Sequence, residues 1–522
     1  MRGRRISSAT AFEKGAQIKS WRNKTPVCVV FPNTYYVGMS NLAVHLLYKT
    51  LNDIPNIVCE RAFFEEGSII SSMESRRPLT SFKCLFFTLS FELDYINIIK
   101  ILRQSHICIN AGDRKEDEPL VVAGGISVMA NPEPINRFFD LFLLGDIEAV
   151  IPEFISYYMD NKDSNRSEII EGTQIFKWAY NPRMLNVEYR EDGQIKSFSP
   201  EGFKVSIKRY QGLPLARSAI ITDYTEFSNM FLVEGTRGCP SRCLFCLLGN
   251  IYNFIYDRIS YVPEDIKDIG LIGGGICFHP GLEEVVEGYT KMGKTIHFPS
   301  LRIDRTSTSF IELISDNIKT LTFGIEAGTE HLRHYLGKRI KDRDIVEKIA
   351  SIMKIKPFNL KLYFMIGLPN EQRGDIESIV ELVKHIKHIM IKEGAKKGAV
   401  GSITIHVSPF VPKPATPFER MPMEDTQKLK EKINYLKRAF NKIDNTYFTH
   451  ESVKYSFVQA VFARGDRRVA DIIQRLSEGE NLNKIIRENP VNLNFYALRE
   501  RSEDEILPWD FIEVHGNCNQ SP

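Results

Sequence analysis

The chain has 522 residues, 43% hydrophobic and 25% charged, which excludes a disordered, collagenous or coiled-coil protein and points to about three domains. Sixty-eight Lys and Arg against 65 Asp and Glu leave a formal charge of +3, so no global field calls for nucleic acid or an anionic membrane. The basic first residues lack the apolar core of a signal peptide, and no apolar run approaches the roughly 18 residues of a membrane span, so a cytoplasmic address is expected.

In chain order, a tail over residues 1–24 precedes a series of apolar strands separated by helical stretches. TPVCVVFP (25–32), FKCLFFTLS (82–90), PLVVAGG (119–125) and FDLFLLGD (139–146) are the strands, and SNLAVHLLYKTL (40–51) is a helix with Ser40 at its N-cap. Strands this apolar predict a parallel sheet covered on both faces, a doubly wound Rossmann-like (flavodoxin-like) domain over 25–158. Ligands of such sheets bind at the C-terminal strand ends. Residues 159–228 read as a polar connector with a small hairpin. From 229 to 423 six further strands (230–235, 269–274, 294–300, 318–327, 359–367 and 402–410) alternate with helices, predicting a partial (β/α)6 barrel with its active site at the C-terminal strand ends. Residues 424–522 read as mainly helical.

Of nine cysteines, Cys28, Cys59, Cys84, Cys108, Cys277 and Cys518 are scattered, whereas Cys239, Cys243 and Cys246 form C-x3-C-x2-C directly after the first barrel strand. Cysteine thiolates hold iron–sulfur clusters, normally four for a 4Fe-4S cube. Three ligands leave one iron free to bind a small molecule. A zinc knot or chance clustering is the competing reading, and zinc would need a fourth ligand in a second pair, which the sequence does not offer.

This triplet resembles the signature of the radical S-adenosylmethionine (SAM) superfamily. The resemblance implies a [4Fe-4S] cluster whose open iron chelates SAM, reductive cleavage to methionine and a 5′-deoxyadenosyl radical, and an electron donor such as flavodoxin or ferredoxin. It assigns Gly274 and Gly275, in the Gly-Gly-Gly after the second strand, to the SAM amino group, although the family's glutamate is missing there. Phe245 falls at the adenine-contact position, Ser300 and Arg302 end the third strand, Glu326 and Gly328 belong to the ribose- and carboxylate-proximal motif, and Gly367 to the adenine-side motif.

The first domain resembles the cobalamin-binding domain of one radical SAM subgroup, with FPNTYYVGMSNL (31–42), Ala123-Gly124-Gly125, Asn131-Pro132-Glu133-Pro134 and Gly145-Asp146 among the matching stretches. The resemblance implies cobalamin contacts from Tyr35, Gly38, Met39, Ser40, Thr88, Leu89, Ser90, Gly124, Gly125, Gly145 and Asp146. Tyr35 stands where such domains often place the cobalt-ligating histidine, and a phenol with a pKa near 10 is a poor cobalt ligand. Cobalamin without a lower protein ligand and a flavodoxin-like scaffold without cobalamin both remain open. Cys28 and Cys84 lie in apolar strands and read as core, His279 as structural, and Arg464–Arg468 as an ion-paired helix end or domain contact. The expected function is radical SAM catalysis, with methyl transfer from methylcobalamin to an unactivated carbon. Sulfur insertion (methylthiolation) and a non-catalytic sensor are the alternatives. Substrate and oligomeric state are not legible.

Overall fold

The computed structural model describes residues 12–488 and 492–514, so Cys518 lies outside the described residues. The chain forms two compact units: one comprises residues up to 230 with 461–496 and the segment from 502, the other residues 231–460 and 497–501. No described helix is long and apolar enough to cross a membrane.

The first unit is built on strands β1 (Thr25–Phe31), β2 (Ile57–Phe63), β3 (Cys84–Thr88), β4 (Leu120–Gly124), β5 (Leu141–Leu143) and β6 (Ala179–Tyr180). Their order is β2-β1-β3-β4-β5-β6, with every pair parallel except β5–β6. This is the doubly wound, flavodoxin-like order, in which the crossover between β1 and β3 opens a crevice at the C-terminal strand ends. One face packs Val27, Val29 and Phe31 with Val44 and Leu47 of helix Leu42–Asp53 and Phe154 and Ile155 of helix Ile147–Asn161. The anticipated hairpin forms from Asn186–Tyr189 and Ile195–Ser199, paired antiparallel.

β2 is absent from the strands anticipated above because its Cys59-Glu60-Arg61 breaks the apolar pattern, yet all seven of its residues are buried. The charge is tolerated because it is matched. The Arg61 guanidinium donates to both carboxylate oxygens of Glu13, at 2.8 and 2.7 Å, and to Glu74 Oε1 at 2.8 Å, and Glu60 accepts from Trp21 Nε1 and Ser75 Oγ. Burial pushes the Glu74 carboxyl above the usual range, against the pull of Arg61. Removing one partner of a buried ion pair leaves a charge without compensation. Arg61→Met is therefore expected to cost about 3–5 kcal/mol, read as a lowered denaturant midpoint for this unit. A change below 1 kcal/mol would contradict that role.

The second unit contains two parallel sheets. The first holds β7 (Phe231–Glu234), β8 (Asp268–Ile272) and β9 (Thr295–His297); the second holds β10 (Thr320–Glu326), β11 (Asn359–Ile366), β12 (Ile403–Pro409) and β13 (Thr446–His450), each in sequence order. An isolated parallel bridge from Leu301 to Phe323 links the two, completing the arc of a partial barrel. The six anticipated strands are all present. β13 is an addition within the region read as helical, and its Thr-Tyr-Phe-Thr-His lies half-buried to exposed at the open edge, without the apolar run that marks an inner strand. Along β11, Leu360, Leu362, Phe364 and Ile366 are buried, whereas Lys361, Tyr363 and Met365 are half-buried on the opposite face, the alternation of a strand packed on helices behind and open to the barrel's concave side.

Candidate functional site

Between β7 and helix Leu247–Ile251 the cysteine loop is shaped by two residues of left-handed backbone. Gly238 (φ +72°) precedes Cys239 and Arg242 (φ +42°) precedes Cys243. The loop is then pinned at its centre: Leu244 N–H donates to Leu336 O at 3.0 Å, and Leu244 O accepts from Phe418 N–H at 3.2 Å. Asn250 Nδ2 donates to the carbonyls of Cys243 and Cys246 at 3.0 and 2.8 Å. Cys243 is buried, and Cys239 and Cys246 are half-buried. Burial raises the Cys243 thiol, opposed mainly by Lys338 and Arg302, and raises that of Cys246, opposed by the N–H groups of Gly249 and Leu248.

Among the described residues no three His, Cys, Asp or Glu side chains are drawn together as a single metal ion would require. Cys239, Cys243 and Cys246 on one loop are thiol donors of the type that iron–sulfur clusters take. The remaining cysteine described in this unit, Cys277, lies after β8, its Sγ accepting from Arg302 N–H at 3.2 Å.

The glycine turn after β8 lies against this loop. A Cβ on Gly275 would sit 2.9 Å from Gly238 O and 3.3 Å from Cys239 Cα, and one on Gly274 would sit 2.7 Å from Leu248 Cδ1. Phe245 packs with Leu244 and Met365 against Ala327, Leu332, Leu336, Leu368, Phe410 and Phe418, so the third cysteine's neighbour and the segments after β10, β11 and β12 share one apolar cluster. Arg302 is bidentate to Asp304 at 3.1 and 3.0 Å, and Cys243 and Cys239 add to the attraction that holds its charge. Ser300 is exposed after β9. Gly328 and Gly367 have reasons in packing as well: a Cβ on Gly328 would strike the Asp375 carbonyl, and one on Gly367 would sit 2.7 Å from Leu429 Cδ2.

Glu326 adopts φ +74° at a register shift in β10, a bulge of the kind that re-aims a side chain beside a site. It binds Lys338, which the sequence reading did not single out. A second group it missed lies on the concave face, where the Tyr363 and His406 rings meet edge-to-face at 5.2 Å. His406 Nδ1 lies 2.9 Å from Thr449 Oγ1, and burial lowers its imidazole below the ordinary range. His279 bonds Asp257 O through Nε2 and accepts from Gly281 N–H, the structural role anticipated for it.

In the first unit, Thr88, Leu89, Ser90, Gly124 and Gly125 gather at the C-terminal ends of β3 and β4. Leu89 N–H donates to Gly124 O at 2.8 Å, and Gly125 has φ +115° with its missing Cβ directed at the Leu89 carbonyl. Ser90 Oγ accepts from Asn41 Nδ2 at 2.9 Å. The other members of the expected set are engaged within the fold. Tyr35, at the histidine position, is buried and donates its hydroxyl to Glu13 at 2.5 Å. Met39 is buried beside Arg61. Gly38 leaves room for Phe63 and Gly145 for the Lys208 carbonyl. Ser40 bonds Thr225 Oγ1 at 2.8 Å, and Asp146 accepts from Tyr210 N–H at 2.7 Å. Cys28 and Cys84 are core residues. The Arg464–Arg468 stretch is ion-paired, with Arg467 bound to Glu133 at 2.8 Å and Arg468 to Asp466 at 2.6 Å.

At the same sheet edge, Asp94 accepts from Asn33 Nδ2 at 2.8 Å. Burial, reinforced by Glu92 and opposed by the Asn33 bond, pushes its carboxyl up to about 6. The folded chain thus holds this proton more tightly than the unfolded one. The stability it contributes is complete below the ordinary aspartate value of about 3.9 and is lost as pH rises through about 6. Asp94→Asn is expected to abolish that loss, worth about 2–3 kcal/mol, read as denaturant midpoints at pH 4.5 and 7. An unchanged pH slope would refute the assignment.

Three comparisons bear on these sites. Residues 43–182 match the family model described as radical SAM proteins, N-terminal. An uncharacterized protein of Methanocaldococcus jannaschii is 30% identical over 497 residues, covering 92% of this chain and 95% of its own length. An uncharacterized methyltransferase of Pyrococcus horikoshii is 23% identical over 229 residues, covering 39% of this chain and 47% of its own. Among solved structures, the radical S-adenosylmethionine methyltransferase TsrM from Kitasatospora setae, with cobalamin and a [4Fe-4S] cluster bound, shares the fold at a TM-score of 0.54 and 11% identity, covering 87% of this chain and 99% of that one.

Proposed function

This chain belongs to the radical SAM proteins, and on that premise we propose that its N-terminal domain binds cobalamin and that it methylates an unactivated carbon of its substrate. The observation that carries the reading is the pinned loop bearing Cys239, Cys243 and Cys246. When bound, the [4Fe-4S] cluster, SAM and cobalamin supply reductive carbon–sulfur cleavage, hydrogen abstraction and a transferable methyl group.

The chain's own residues hold and shield that chemistry. Cys239, Cys243 and Cys246 are the three cluster ligands, leaving one corner for SAM. Gly274 and Gly275 let the backbone run close to the loop and present carbonyls to the SAM ammonium. Phe245 and its apolar cluster form the dry wall for adenine, and Glu326 and Arg302 are the charged groups for ribose and carboxylate. In the first unit, Thr88, Ser90, Gly124 and Gly125 receive the cobalamin tail, with hydroxyls for hydrogen bonds and glycines for close approach. With the Tyr35 phenol committed to Glu13, the reading includes no cobalt ligand from that position. A flavodoxin or ferredoxin is the electron donor, and the cytoplasm is the compartment that suits it.

Oxygen-free purification is expected to yield protein with four irons per chain and bound corrinoid by mass spectrometry, and to form 5′-deoxyadenosine on reduction with SAM. The Cys239→Ala/Cys243→Ala/Cys246→Ala variant is expected to lose the iron and at least 100-fold of the 5′-deoxyadenosine while keeping its secondary structure. Iron retained in that variant would overturn the ligand assignment, and wild-type protein lacking corrinoid would overturn the methyl-transfer reading.

A further inference from the structure

Lys338 has 5% of its surface exposed, and its Nζ donates to Glu326 Oε1 at 2.7 Å. Three features deliver this ammonium to the cysteine loop. The Leu244–Leu336 hydrogen bond ties the preceding turn to the loop. Gly337, at φ +79°, passes so close that its Cβ would lie 3.6 Å from Cys243 Cα. Glu326 is turned to meet the lysine by its own left-handed backbone, and a Cβ on Gly324 would sit 2.5 Å from Glu326 Oε1 and 3.1 Å from Lys338 Nζ, so a side chain there would displace the pair.

Burying an ammonium is costly, and an apolar pair of similar volume would serve stability as well or better. A fixed positive charge acting on Cys243 has a different use. An electron arriving there makes the site more negative, and a cation in a low-dielectric setting stabilises the added charge. Arg302, the other cation that influences Cys243, is paired with Asp304 as Lys338 is with Glu326, but through a bidentate contact.

Resting on the cluster assignment of the preceding section, we propose that Lys338 sets the reduction potential of the cluster held by Cys239, Cys243 and Cys246, with Glu326 governing how much of the charge the cluster feels. The step concerned is one-electron reduction of the cluster by a low-potential donor, with no bond made or broken.

The test is an EPR-monitored potentiometric titration of the reconstituted full chain without SAM, with iron and sulfide counted for every variant. Lys338→Met is expected to move the midpoint to more negative potential, Glu326→Gln to more positive potential, and Lys338→Arg to leave it near wild type. Opposite signs from the two partners distinguish charge tuning from a merely structural pair. Midpoints that coincide, or that shift in the same direction, overturn the proposal. Should Lys338→Met assemble no cluster, Glu326→Gln decides alone: a positive shift supports the proposal and coincidence with wild type refutes it. Wild-type protein without four irons fails earlier and refutes the cluster assignment instead.

Discussion

Two backbone hydrogen bonds at Leu244, one to Leu336 and one from Phe418, hold the cysteine loop of the second unit. Between Cys239 and Cys246 the loop has no helix or strand of its own, and left-handed turns at Gly238 and Arg242 only bend it. It holds position because its middle is attached to two segments that are themselves anchored: the turn after helix Glu330–Tyr335, and the strap beyond β12. Phe245 carries that attachment into the apolar cluster containing Ala327, Leu368 and Phe410, and Gly275 closes against the loop from the side of β8. Motifs that are separate along the chain meet because one short loop is held from three sides.

The first unit solves a related problem with charge. A sheet buried on both faces admits a charged strand only when each charge is met, and β2 carries Arg61 between Glu13 and Glu74. The same network takes up the hydroxyl of Tyr35. The aromatic ring at the histidine position is thereby a member of the core, and the polar groups left at the sheet edge come from the ends of β3 and β4.

Legibility followed the range of the interactions. The cysteine spacing, the six apolar barrel strands and four of the sheet strands are local patterns, and each could be read directly. β2 escaped notice because its Glu and Arg are neutralised by residues that no periodicity connects to them. β13 escaped because an edge strand of Thr, Tyr and His carries no apolar run. Lys338 was invisible for a stronger reason: its place beside Cys243 follows from a backbone bond between Leu244 and Leu336, which leaves no trace in spacing or composition. Gly328 and Gly367 were legible as glycines, yet the structure gives each a packing cause that the motif alone did not disclose.

The polypeptide leaves the first unit after residue 230 and returns to it from residue 461. Glu133 waits for Arg467, and the Asn131 side chain donates to the carbonyls of Ala463 and Gly465. All six strands of that sheet, residues 25–180, therefore precede by more than 250 residues the segment that completes the contacts of Glu133 and Asn131. One compact unit is thus assembled from both ends of the chain, with the other unit inserted between them in sequence.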